Sequence, residues 1–288
     1  FFTQKGKCYW LKVYEIPEGA KNSKGRAIQN MLNIDADDKV NAFIRVKQLQ
    51  DPEYNMSHNL LFCTRKGVIK KTKLEAYSRP RQNGVNAITI REDDQVIQVR
   101  LTTGDSQIIM ANKHGRAIRF HESTVREMGR TATGVRGMTL DETGDDEVIG
   151  MICIKDPEKE TVMVVSEQGY GKRSEIEDYR ITNRGGKGVK TLNITEKTGN
   201  LVAIKSVTDE NDLVIINKSG ITLRMKVADV RIMGRATQGV RLINLEKRND
   251  EIASVCKVLS ETESDSSNSE NIDSASEINE AEASETTE

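Results

Sequence analysis

Apolar runs of five or six residues recur along the chain, each followed by a glycine and then by a segment where apolar and cationic positions alternate. The clearest runs are Asn59–Thr64, Gln107–Ala111, Thr161–Ser166 and Asp212–Asn217. An apolar stretch of that length between turn residues predicts a strand buried on both faces. The alternating segment is cleanest at 221–227. There, period two puts Ile221, Leu223, Met225 and Val227 on one face and Arg224 and Lys226 on the other. A third strand is predicted after a second glycine, at Val85–Ile90, Val135–Leu140, Val189–Ile194 and Val240–Leu245. A fourth closes each unit, at Val40–Val46, Val96–Leu101, Val148–Ile154, Leu201–Val207 and Ile252–Val258. Acid pairs such as Asp93-Asp94 and Asp145-Asp146 fall just before the fourth strand and are turn residues by position.

The pattern occurs five times. The first glycines are Gly6, Gly67, Gly115, Gly169 and Gly220, spaced 61, 48, 54 and 51 residues apart. The second glycines, Gly25, Gly84, Gly134, Gly188 and Gly239, follow at 19, 17, 19, 19 and 19 residues. Constant spacing within the unit and slippage between units mark a structural repeat whose joints accept insertions. A β pattern with a period near 50 residues predicts an all-β array of propeller-like, four-stranded blades.

Charge recurs in register with the glycines. Four residues before the second glycine stand Lys21, Pro80, Arg130, Arg184 and Arg235; two after it stand Ala27, Asn86, Arg136, Lys190 and Arg241. The fourth copy is densest, Arg184-Gly185-Gly186-Lys187-Gly188-Val189-Lys190. Glycine lets backbone amides approach a phosphate, and Arg or Lys supplies charge. For one loop a solvated turn would explain this; the same offset in successive loops points to a polyanion. Four residues after the first glycine come Trp10, Lys71, Arg119, Arg173 and Arg224, which predicts a strand presenting cations outward. Edge protection against aggregation is the alternative account of those charges.

Of the 288 residues, 43 are Lys or Arg and 44 Asp or Glu, but residues 260–288 hold ten of the acids and no Lys or Arg. The body at 1–259 is therefore strongly basic. The Ser/Glu-rich tail at 260–288 is expected to be disordered, either competing for the basic surface or only solubilising the chain. Aromatic residues are 4%, so an aliphatic core is expected. Cys8, Cys63, Cys153 and Cys256 fall in separate strands and read as buried free thiols. The three histidines, His58, His114 and His121, are scattered, so no metal site and no catalytic constellation is expected. No apolar stretch approaches the roughly 20 residues of a membrane span.

Several segments resemble the C-terminal domain family of the bacterial DNA gyrase A subunit. They are Phe1-Phe2-Thr3-Gln4-Lys5-Gly6-Lys7, residues 12–18 (Lys-Val-Tyr-Glu-Ile-Pro-Glu), Lys24-Gly25-Arg26, residues 128–137 around Gly129-Arg130, Gly169-Tyr170-Gly171-Lys172-Arg173, and residues 233–240 around Gly234-Arg235. The resemblance covers roughly residues 1–259. It implies a β-pinwheel, propeller-shaped with strands exchanged between blades, in which a sixth blade is completed by residues ahead of Phe1. It also implies that double-stranded DNA wraps around the rim, and that the partners are gyrase B and the remainder of gyrase A, joined in an A2B2 heterotetramer. The family's basic Gln-Arg-Arg-Gly-Gly-Lys/Arg-Gly box lies ahead of the start of this chain, and Asn183–Gly188 is a near-copy of it.

On this basis the expected DNA contacts are Lys21, Lys24, Arg26, Lys71, Arg79, Arg81, Arg119, Arg130, Arg136, Arg173, Arg184, Lys187, Lys190, Arg224, Arg235 and Arg241, with loop glycines Gly25, Gly84, Gly134, Gly185, Gly186, Gly188 and Gly239. No cofactor is expected in this segment; ATP and Mg²⁺ would be used elsewhere in the intact enzyme, which introduces negative supercoils. The expected location is the cytoplasm, on the nucleoid. The rival within the family is the C-terminal domain of the topoisomerase IV A subunit; the rival of another class is a protein-binding propeller.

Overall fold

The computed structural model describes residues 1–20, 23–142, 144–245 and 250–260. The predicted tail beyond 260 and the expected contact Lys21 lie outside the described residues.

In each unit the apolar run and the segment after the glycine form a hairpin. Asn59–Thr64 pairs antiparallel with Val68–Lys73, and Thr161–Ser166 pairs with Tyr170–Glu175. The fourth strand lies along the other edge of the apolar run, as Val96–Thr102 does beside Asn59–Thr64. A register shift recurs in every blade where these two strands pair, at Phe2/Thr3, Cys63/Thr64, Val148/Gly150, Val165/Ser166 and Ile216/Asn217. Such bulges bend the strand and increase sheet twist.

The predicted third strands behave differently. Each is only two residues long, Val85–Asn86, Val135–Arg136, Val189–Lys190 and Val240–Arg241. Each leaves its own unit and pairs with the second strand of the preceding blade: Val135↔Ile69, Val189↔Ala117 and Val240↔Gly171. The first blade thus runs Val40–Ala42, Phe2–Thr3, Lys7–Cys8, Val85–Asn86, with its last strand donated by the second unit. Four blades are completed in this way. The fifth, Thr222–Lys226, Asn211–Asn217 and Ile252–Leu259, has three strands among the described residues.

The core is divided among the blade faces. Phe2, Phe62 and Tyr77 join the first blade to the second, with the Phe2 and Phe62 rings edge-on at 5.3 Å. Ile69, Met110 and Phe120 join the second to the third, Ile109, Val164 and Leu192 the third to the fourth, and Met163, Leu213 and Leu245 the fourth to the fifth. The sheets are thus stacked in sequence order. A six-residue α-helix, Pro52–Ser57, capped by the Asp51 carboxylate accepting from Glu53 N at 2.9 Å, fills the longest joint, between the first and second units. No helix among the described residues is long and apolar enough to cross a membrane.

Cys8 and Cys63 are buried and Cys153 half-buried, as free thiols, but Cys256 is exposed. It faces outward on the last strand, where no following blade covers it among the described residues. Burial pushes the Cys8 and Cys153 thiols up to about 12.

Candidate nucleic-acid interface

Each basic loop starts after a 3₁₀ turn, Leu74–Tyr77, Glu122–Thr124, Ile176–Asp178 or Val227–Asp229. The loops of the third, fourth and fifth units first run parallel to the preceding blade's second strand, through the bridges Lys71↔Glu127, Arg119↔Ile181 and Arg173↔Ile232. They then reverse into the short exchanged strand. The loop therefore lies along the edge of the neighbouring blade, held by main-chain bonds such as Met128 N to Lys71 O at 2.8 Å and Met233 N to Arg173 O at 2.8 Å.

Successive loops are tied to one another. Thr89, past the second loop, donates from Oγ1 to Thr131 O (2.6 Å) and from N to Ala132 O (3.3 Å) in the third. The third joins the fourth through Gly185 N to Gly137 O (2.6 Å), Thr139 N to Gly186 O (3.0 Å) and Arg184 Nη1 to Arg136 O (3.0 Å). The fourth joins the fifth through Arg235 Nη1 to Lys190 O (2.9 Å) and Asn193 N to Thr237 O (3.1 Å). Four loops make one hydrogen-bonded belt.

The expected contacts divide into three groups. Arg79, Arg81, Arg136, Lys187, Lys190 and Arg241 are exposed on the belt, and Lys24 and Arg26 are exposed on the loop of the first unit. Arg79, Arg81 and Arg130 line an open groove of about 610 Å³, and Arg81 and Arg130 line its smaller neighbour with Lys7 and Asn86. Arg130, Arg184 and Arg235 are half-buried joints: Arg130 Nη1 donates to Ala76 O at 3.3 Å, and Arg184 Nε to Thr124 O at 3.0 Å.

The third group corrects the sequence expectation of an outward cationic strand. Lys71, Arg119 and Arg173 are buried, and their heads are occupied by backbone carbonyls of the next unit's 3₁₀ turn. Lys71 Nζ donates to Glu122 O (3.3 Å), Arg119 Nη1 to Ile176 O and Tyr179 O (both 2.8 Å), and Arg173 Nη1 to Val227 O (3.2 Å). Trp10 does the same in the first blade, Nε1 to Tyr77 O at 3.1 Å. The position is an inter-blade tie that needs a long apolar stem ending in an N–H. Trp, Lys and Arg share that property, and the Trp at a supposedly cationic offset was the signal in the sequence. Arg224, with no following unit among the described residues, stays exposed and pairs with Asp212 at 2.8 Å.

The second glycines have a packing role. A Cβ on Gly134 would sit 2.7 Å from the Val68 side chain, and on Gly188 2.4 Å from Ala117 O, both residues having positive φ. Gly84 and Gly239 face Tyr9 and Gly171 O as closely. These glycines let the loop touch the preceding blade. Gly185 and Gly186 have room, and nothing lies within 4 Å of a Cβ on Gly25.

Two lysines that sequence reasoning passed over lie beneath the belt. Lys70 Nζ donates to Ala87 O and Arg130 O, and Lys172 Nζ to Gly234 O at 2.6 Å; both side chains are fully buried. Burial, with Arg130 nearby, brings Lys70 down to about 7; burial chiefly, with Arg235 nearby, brings Lys172 to about 8.

Comparison with known proteins gives one answer in sequence. The family model for the DNA gyrase C-terminal domain, beta-propeller, matches residues 1–47, 58–103, 106–155, 160–208 and 211–256, one match per repeat. The DNA gyrase A subunit of Staphylococcus aureus (strain NCTC 8325 / PS 47) is 45% identical over 270 residues, covering 94% of this chain and 30% of that protein. In structure, the C-terminal domain of DNA topoisomerase IV superposes with a TM-score of 0.79 at 27% identity, over 90% of this chain and 78% of the other. A DNA gyrase A C-terminal domain gives 0.76 at 25%, over 90% and 81%.

Proposed function

The chain belongs to the DNA gyrase C-terminal domain, beta-propeller family, and from that premise we propose that residues 1–259 bind duplex DNA along the belt and bend it around successive blades. The observation that carries this is the belt itself: four loops bonded end to end, with exposed cations on each. Such a surface meets phosphates without reading bases, so binding tolerates sequence and favours bendable sites. The chain spans 30% of the length of its Staphylococcus relative. We assign the rest of gyrase A, gyrase B, ATP and Mg²⁺ to the intact supercoiling enzyme at the nucleoid, with this segment supplying the wrap. The two structural neighbours score alike, so the fold does not separate gyrase from topoisomerase IV; the 45% identity to gyrase A favours gyrase. A protein-binding propeller would carry apolar residues where these loops carry cations.

The test is charge reversal at exposed belt positions whose side chains hold no joint: Arg81→Glu, Arg136→Glu, Lys187→Glu and Lys190→Glu together. Mobility shifts with duplex DNA across a salt series should show binding weakened at every salt, with the log–log slope reduced by about 3.6, roughly 0.9 per phosphate contact. Thermal melting should be unchanged. An unaltered slope in a folded variant would place the DNA elsewhere.

A further inference from the structure

We propose that His114, Asp141 and Asp146 form a binding site for one divalent cation of the zinc, cobalt or manganese kind on the third blade. His114 lies in the turn between Gln107–Asn112 and Arg116–His121; the two carboxylates lie in the connection leading to Val148–Ile154. Their donor atoms all fall within 4.8 Å of one another. His114 Nδ1 is 3.5 Å from Asp141 Oδ2 and 3.8 Å from Asp146 Oδ1. Ligands held at 2.0–2.1 Å around a tetrahedral ion stand about 3.3 Å apart, so small inward shifts would complete the shell.

Asp146 points to the missing charge. Its side chain is completely buried, and Oδ1 accepts no hydrogen bond while facing His114. Its other oxygen is fixed by Asn112 Nδ2 at 2.6 Å and Asp141 N at 3.0 Å, which aims the unsatisfied oxygen into the cluster. A buried carboxylate oxygen without a partner is costly unless a proton or a cation meets it. Asp145 Oδ2 lies 3.4 Å from His114 Nε2, placed to take that N–H and leave the Nδ1 lone pair toward Asp141 and Asp146. A carboxylate holding the far nitrogen of a metal-binding imidazole is a recurring support of such sites.

Two of the other repeats place an ammonium at the position of His114. In the first unit the residue before the glycine is Lys5, which pairs with Asp37, while Lys7 pairs with Asp35 at 2.6 Å. In the second it is Lys66, whose Nζ donates to Glu92 O at 3.2 Å, and in the fourth and fifth it is Gln168 and Ser219. In the third unit that residue is His114, and among the described residues no Lys or Arg pairs with Asp141 or Asp146. Where the first two units put an ammonium, the third puts an imidazole beside two acids. One imidazole and two carboxylates suit a borderline divalent ion better than Ca²⁺ or Mg²⁺, which prefer all-oxygen shells. Asp141 is two residues past Thr139, which is bonded to Gly185 and Gly186, so a bound ion would brace the joint between the third and fourth loops.

The chain, stripped with chelator and desalted, is titrated with Co²⁺ and followed by visible d–d absorption, then melted with and without Zn²⁺. One equivalent of Co²⁺ should bind, and Zn²⁺ in hundredfold excess over its Kd should raise the melting temperature by about 5 °C or more. His114→Gln and Asp146→Asn should each weaken Co²⁺ binding at least tenfold, while His121→Gln leaves it unchanged. Should Asp146→Asn fail to fold, His114→Gln alone decides. No binding up to about 1 mM Co²⁺, Zn²⁺ or Mn²⁺, or equal binding by folded His114→Gln, overturns the site. A pH-dependent melting shift lost in His114→Gln without any response to metal would likewise overturn it, showing a protonated His114 paired with the acids.

Discussion

Lys70 and Lys172 show how far a side chain's role departs from its composition. Both count as cations in the sequence, yet each is closed under a basic loop with its amine on loop carbonyls. The folded state lowers Lys70 to about 7 from 10.5. Between those values the unfolded chain holds a proton that the folded chain lacks, so stability rises with pH through the window, by at most about 1.4 kcal/mol per pH unit for one group. Below pH 7 that contribution is flat. Urea unfolding at pH 7, 8 and 9 should show the rise, and Lys70→Met should flatten it while costing stability, because Arg130 O loses its donor. A slope equal to the parent's would mean that Lys70 stays charged throughout. Single-residue periodicity could not separate these lysines from Lys187 or Lys190: strand position tells which face a residue is on, not what later covers that face.

The same limit applies to whole strands. The alternation in 221–227 predicts one apolar and one cationic face, and the fifth blade keeps it, with Leu223 and Met225 half-buried and Arg224 and Lys226 exposed. In Val68–Lys73 and Tyr170–Glu175 nearly every residue is buried, because the next unit's turn and loop lie over the strand. The first and fourth strands are legible almost to the residue, since their apolar runs depend only on local burial; the exception is the expected Val40–Val46, whose strand ends at Ala42. The exchanged strands begin where the pattern puts them, but they are shorter than it predicts and belong to the preceding sheet. Two-residue pairing across units leaves little periodic trace. Glycine tests the exchange. Gly25→Ala meets no neighbour and should cost about 1 kcal/mol for its positive φ. Gly188→Ala adds a clash with Ala117 O and should cost about 2–5 kcal/mol. Thermal melts rank the two, and equal costs would remove the close approach as the reason for the second glycine.

For the molecule as a whole, bending sets the demand. Turning about 40 bp through a half circle costs on the order of 10 kcal/mol, which no single loop offsets. Charges on independent, yielding loops would follow a straight duplex as readily as a curved one. On the proposed reading, the belt's joints would let phosphate contacts resist that strain. Arg184 and Lys187 separate charge from rigidity, since they lie three residues apart in one loop and carry the same charge. Arg184 ties Thr124 O and Arg136 O, whereas Lys187 is exposed. Arg184→Met and Lys187→Met should change the salt slope alike, by at most about 0.9 each. End-to-end energy transfer on a labelled duplex should nevertheless show a larger loss of bending for Arg184→Met, because that change removes the side-chain ties to Thr124 O and Arg136 O and loosens the joint between the third and fourth loops. If the two variants bend DNA equally, the belt acts only as a row of charges, and curvature must come from the placement of the blades alone.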